Sequence, residues 1–185
     1  MAHGQPDFGI YAAKKTVSGL ADLGELAARL GSIVTFDRRG DIVWFDDFEG
    51  EVDKWYQEPS GTDAAIVVSP DAARNGSFSA KLTTGDEVND FATIIHYLPY
   101  PVTSRVGFEI SFNVENDLSE LIFSQRLYDG SYEHYARLRY LPATDVLQYL
   151  DSEAEWQDLV TGLVLWAATY AFHTVKLVID LDTHK

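Results

Sequence analysis

From Ala64 onward the chain repeats one device: short runs rich in apolar, β-branched and aromatic residues, each closed by a cluster of turn formers. The runs are Ala64–Ser69, Ser77–Thr83, Phe91–Tyr97, Val106–Val114, Ser119–Arg126, His134–Tyr140, Asp145–Leu150 and Thr174–Leu181. Between them stand Asn75-Gly76, Pro99, Pro101, Asn116-Asp117, Asp129-Gly130 and Pro142, residues that supply positive φ, a fixed φ or side-chain hydrogen bonds to a turning backbone. Runs of this length are strands rather than helices, and with almost no helical period among them the fold class predicted is mainly β, an antiparallel jelly-roll β-sandwich. Alternation is clearest where Val106, Phe108, Ile110, Phe112 and Val114 interleave with Gly107, Glu109, Ser111 and Asn113. One face of that strand should be buried and the other wet, and the strand should lie well inside a sheet.

The chain has 185 residues, 46% hydrophobic and 13% aromatic, enough for one domain with its own core and an N-terminal appendage. Its formal charge is −15, carried by 29 acidic against 14 basic residues, which argues against nucleic acid as a partner because phosphate recognition needs clustered Lys and Arg. There are no cysteines, so disulfides, thiolate catalysis and Cys-zinc sites are all excluded. No apolar run approaches the ~20 residues of a membrane span, so membrane insertion is not expected. The N-terminus lacks a signal-peptide pattern, which predicts synthesis in the cytoplasm and leaves a virion or a cell surface open as destinations.

Residues 1–43 form a separate region. Residues 1–15 show no period and read as an extended arm. Over residues 16–30, Leu20, Leu23, Ala27 and Leu30 share one helical face, and Gly31 stands just past its end, which predicts a short amphipathic helix. Ile33–Phe36 and Asp41–Phe45 flank Asp37-Arg38-Arg39-Gly40 as a hairpin would. The sandwich is expected over residues 44–185. Residues 156–172 are dense in apolar side chains and favour a strand and a loop around Gly162. The last run leads into Asp182-Thr183-His184, a turn with no return strand, so the sandwich is expected to lack a final strand or to be truncated.

Two segments carry a resemblance. Phe48, Glu49 and Trp55, followed by Gly61 and by Asn75-Gly76-Ser77, Ser79 and Lys81-Leu82, resemble the opening of many jelly-roll carbohydrate-binding modules. Phe172-His173-Thr174-Val175-Lys176-Leu177-Val178-Ile179-Asp180 is similar to the late strand and hairpin of concanavalin A-like lectin and laminin G-type domains. The resemblance implies a jelly roll with a binding role. Glucanases of similar fold carry an E-x-D-x-x-E pattern, and here Ser111 and Val114 stand where its second and third carboxylates would be, so no catalytic residues are assigned. Similar modules often hold a structural calcium beside such an acidic opening, with a partner from the last strand. That implies Asp47, Glu49 and Asp180 as ligands, with a solvated acidic edge as the alternative. His96, His134, His173 and His184 show no paired spacing for zinc and read as ordinary packing or surface residues.

Sugar rings stack on flat aromatic faces and hydrogen-bond to planar polar groups. The ligand-binding candidates are therefore Tyr128, Tyr132, Tyr135, Tyr140, Tyr149, Trp156 and Arg137, with cross-strand packing as the alternative reading of the aromatics. Arg126, Arg137 and Arg139 could supply polar contacts to a ligand, with salt bridges to the surplus carboxylates as the preferred reading. Two functions follow from these residues. One is a non-catalytic binding module of carbohydrate-binding or lectin-like type, with a glycan or polysaccharide as partner. The other is a structural subunit of a virion or other self-assembling particle, using residues 1–43 as an assembly arm toward a neighbouring subunit.

Overall fold

The structure, a computed structural model, describes residues 42–74, 76–98, 104–115 and 118–182. The chain divides into two compact units, Met1–Phe45 and Asp46–Lys185. The arm, the helix at residues 16–30 and the first run and turn of the expected hairpin lie outside the described residues, as do Asn75, Pro99, Pro101, Asn116, Asp117, Thr183 and His184, whereas residues 42–45 of the hairpin's second run are described and form no strand.

The second unit is mainly antiparallel β. A 3-10 turn at Val52–Lys54 leads into β1 (Tyr56–Ser60), β2 (Ala65–Ser69), β3 (Ser79–Thr83) and β4 (Phe91–Ile95). Then come β5 (Arg105–Phe112), β6 (Leu121–Tyr128), β7 (Glu133–Leu141), β8 (Val146–Leu150), β9 (Trp156–Thr161) and β10 (His173–Asp180). Each of the eight runs read as a strand overlaps one, with bounds that differ by up to two residues at either end, and residues 156–172 resolve into β9 and a loop beginning at Gly162. The strand that periodicity misses is β1: Tyr56-Gln57-Glu58-Pro59-Ser60 has no apolar alternation, and Pro59 cannot donate to a ladder. It forms by pairing with β4, from Tyr56 opposite Ile95 to Ser60 opposite Phe91.

The ladders nest. β1–β4 brackets the β2–β3 pair, and β5–β10 brackets the four-stranded meander β6-β7-β8-β9. In the β5–β10 pair, His173 faces Phe112, Val175 faces Ile110, Leu177 faces Phe108 and Ile179 faces Val106, so one side of the pair is apolar. That side packs on the meander, with Leu127, Ile179 and Leu181 forming a buried cluster joined by Val106 and Ala136, and Phe112 lying 4.9 Å from Phe123. The expected alternation therefore holds. The expected central position does not, because among the described residues β10 is the only ladder partner of β5.

On the opposite side of the pair, Ser111 accepts a hydrogen bond from Arg74 and shares one of 3.1 Å with Thr174. At Gly107 a Cβ would stand 2.6 Å from the Leu177 carbonyl oxygen, which restricts the position to glycine at this strand spacing. Lys81 reaches Glu115 at 3.3 Å and ties β3 to the end of β5. The core is thin: among the described residues the most buried apolar residue, Tyr140, is still 3% exposed.

Candidate functional site

The meander has two unlike faces because consecutive side chains point to opposite sides of a pleated strand. Leu127, Ala136 and the 3% exposed Tyr140 belong to the inner face. The ladder registers put Arg126 beside Tyr135, Ser124 beside Arg137, Ile122 beside Arg139, Arg139 beside Gln148, and Gln148 beside Asp158 on the outer face. Tyr128, opposite Glu133, and Trp156, opposite Leu150, share this outer side. An antiparallel meander thus gathers aromatic rings and guanidinium groups from three strands onto one sheet surface.

Each group there is held by its neighbour. The Arg139 guanidinium lies 4.2 Å over the Trp156 ring, donates through Nε to Gln148 Oε1 at 2.6 Å, and approaches Glu120 at 3.4 Å. Gln148 in turn donates to Asp158 at 2.7 Å. Arg126 stands 5.1 Å from the Tyr135 ring centroid and 3.9 Å from Glu133. The Tyr135 hydroxyl donates to Glu133, and this bond, burial and the negative charge hold the phenol above its ordinary pKa. Arg137 donates through Nε to the Ser124 hydroxyl at 3.3 Å.

At one end of this face the turn between β6 and β7 is built by Asp129. Its carboxylate accepts the backbone N–H groups of Ser131 and Tyr132 at 2.8 Å each and meets His134 Nε2 at 2.8 Å. The His134 bond first, then the two backbone N–H groups, hold Asp129 far below the usual carboxylate range. The Tyr128 hydroxyl donates to Gly130 O at 2.8 Å, so the turn also positions that ring.

The seven residues selected from sequence therefore divide. Tyr128, Tyr135, Arg137 and Trp156 share the outer face, with Tyr128 59% and Tyr135 46% exposed. Tyr132 projects from the adjoining turn and is 73% exposed. Tyr140 and Tyr149 fall on the other face, since each is an odd number of residues from an outward-facing neighbour on its strand. Tyr140 is buried, its hydroxyl donating to Asp145 at 3.3 Å and accepting Leu165 N–H at 3.4 Å beside a cleft of about 220 Å³ between Val114, Leu118 and Pro142. Gln148, Asp158 and Ser124 were missed, because only the ladder register brings them to the arginines. Another missed feature is the exposed pair Tyr56 and Tyr97, whose rings stand 6.2 Å apart at one end of the β1–β4 ladder.

The acidic opening folds onto itself. Asp46, with its side chain 1% exposed, accepts the Trp55 indole N–H at 2.9 Å, Lys54 Nζ at 3.3 Å and the Phe48 N–H at 3.2 Å. Trp55 is then stacked on Phe48 at 5.6 Å. Glu49 Oε1 accepts the N–H groups of Ser77 at 2.6 Å and Phe78 at 3.0 Å, closing the loop between β2 and β3. Gly76, at φ 75°, leaves room for that carboxylate, since a Cβ there would lie 2.1 Å from it. Asp47 accepts the Glu49 N–H at 3.2 Å, and Asp180 accepts the Asp182 N–H at 3.0 Å. Among the described residues no three His, Asp or Glu side chains converge as a metal site requires, so Asp47, Glu49 and Asp180 are not brought together.

Glu109 lies opposite Lys176 in the β5–β10 ladder. No helix among the described residues is long and apolar enough to cross a membrane. No family model matches this chain, and no curated protein or solved structure matches it either.

Proposed function

We propose that the second unit is a non-catalytic carbohydrate-binding or lectin-like module of jelly-roll type, and that the outer face of the β6–β9 meander is its glycan-binding surface. The observation that carries this reading is the convergence of Tyr128, Tyr135 and Trp156 with Arg126, Arg137 and Arg139 on one sheet face. Rings and guanidinium planes offer the C–H face of a sugar a stacking surface, and guanidinium N–H groups donate to its hydroxyls. The nested ladders support the jelly-roll assignment, because such a roll is a long hairpin wrapped on itself with outer strands pairing around inner ones. Replacing both Tyr128 and Tyr135 by Ala is expected to abolish retention on polysaccharide in affinity electrophoresis. The melting temperature should stay within the shift of a surface change, about 0.5 kcal/mol per site. Unchanged retention in this double variant would remove the outer face as the binding surface.

A second reading draws on a different observation. Leu159, Val164, Trp166 and Tyr170 are 53%, 61%, 69% and 83% exposed along β9 and the loop after it, more apolar surface than a solvated loop needs. It supports a structural subunit of a virion or other particle, with residues 1–43 as the assembly arm. Sedimentation of the full chain distinguishes the two: a monomer opposes assembly, and a large defined particle favours it.

A further inference from the structure

We infer that the outer face of the meander selects glycans carrying isolated carboxylates, uronic acid residues spaced along an otherwise neutral chain, with Arg137 as the group that receives the carboxylate. The inference rests on the glycan-binding reading of this face. Arg126 is opposed by Glu133 and Arg139 by Glu120, whereas Arg137 has no carboxylate within ion-pair distance among the described residues. Its Nε is taken by the Ser124 hydroxyl, which fixes the guanidinium, while its two terminal nitrogens make no hydrogen bond among the described residues. A planar fork with free terminal N–H groups matches the two oxygens of a carboxylate.

The setting defines the ligand further. Tyr135 lies two residues away on the same face of β7, about 7 Å along the strand, which is near the length of one sugar ring. A uronate over Arg137 therefore places its neighbouring sugar against Tyr135. One unpaired cation suits one carboxylate per footprint. The chain's net charge of −15 opposes densely charged polyanions, whose further charges would meet its acidic surface within a screening length of ~8 Å.

The test is affinity electrophoresis of the full chain in gels containing glucuronoxylan, gellan or hyaluronan, each compared with the same polymer after reduction of its carboxyl groups to hydroxymethyl groups. Retention by at least one acidic polymer is expected, with Kd rising roughly tenfold or more on the reduced counterpart and in Arg137→Gln. Arg137→Lys, which keeps the charge and loses the fork, should retain part of the binding and lose it as NaCl is raised. Melting curves of both variants guard against misfolding, and a change confined to melting would overturn the binding role. Equal retention on intact and reduced polymers, or wild-type retention by Arg137→Gln, overturns the carboxylate selectivity and leaves the glycan face standing. Absence of retention on every intact and reduced polymer overturns both.

Discussion

The inner and outer faces of the β6–β9 meander are built from alternate residues of the same strands, yet they are held by different physics. Inside, Leu127 and Ala136 meet Ile179 and Leu181 from β10, and removal of apolar area from water provides the attraction. Outside, Arg139, Trp156, Gln148 and Asp158 form a chain of polar and cation–π contacts that stays partly solvated, so each link contributes little. Stability resides mainly on one face and recognition is proposed for the other. The two should be separable by mutation, as a binding surface built on a rigid sheet requires.

Truncating Leu127 to Ala should have the largest effect, about 2–4 kcal/mol by chemical denaturation, because it opens a cavity in a thin core. The protein that remains folded should bind polysaccharide like wild type; a loss of affinity there would show that the two faces are coupled. Asp46→Ala should come next, at about 1–3 kcal/mol, since it leaves the Trp55 indole N–H and Lys54 without their shared acceptor. This variant lies outside the meander, so retention should again be unchanged.

Arg139→Met keeps most of the aliphatic stem and removes the guanidinium over Trp156, for an expected cost of about 0.5–1 kcal/mol. A larger loss, read from the melting curve, would mean that the outer face carries more of the stability than its exposure suggests. The smallest effect concerns acid. Asp129 has its folded pKa lowered, so its contribution is fully present above the unfolded value of about 4 and is lost as pH falls below it toward the folded value. Asp129→Asn should make the melting temperature less sensitive to pH below about 4 than in wild type. Part of the acid sensitivity should remain, because Asp151, through the Glu155 N–H, and Asp71, through Lys81, are lowered too. An identical acid profile in the variant would show that the ionised Asp129 carboxylate, with its His134 and backbone contacts, contributes nothing to acid stability.

Sequence by itself determined the strands whose side chains alternate. Val106, Phe108, Ile110 and Phe112 mark one apolar side whatever strand pairs with them, because the pleat alone sets the side on which each residue lies. Turns were legible for the same local reason, as at Asp129-Gly130, where a carboxylate bonds to the N–H groups two and three residues on. β1 was not legible, since Tyr56–Ser60 acquires strand geometry only from β4, more than thirty residues later. The odd spacing of Tyr135 and Tyr140 on one strand sets them on opposite sides, but which side meets the interior was not legible, and the fold buries Tyr140 and leaves Tyr135 46% exposed. Likewise Glu49 reads as a candidate oxygen ligand for an ion, while the fold gives its carboxylate to the backbone of Ser77 and Phe78. Register, facing and the partners of charged groups depend on residues distant in the chain, and only the tertiary structure decides them.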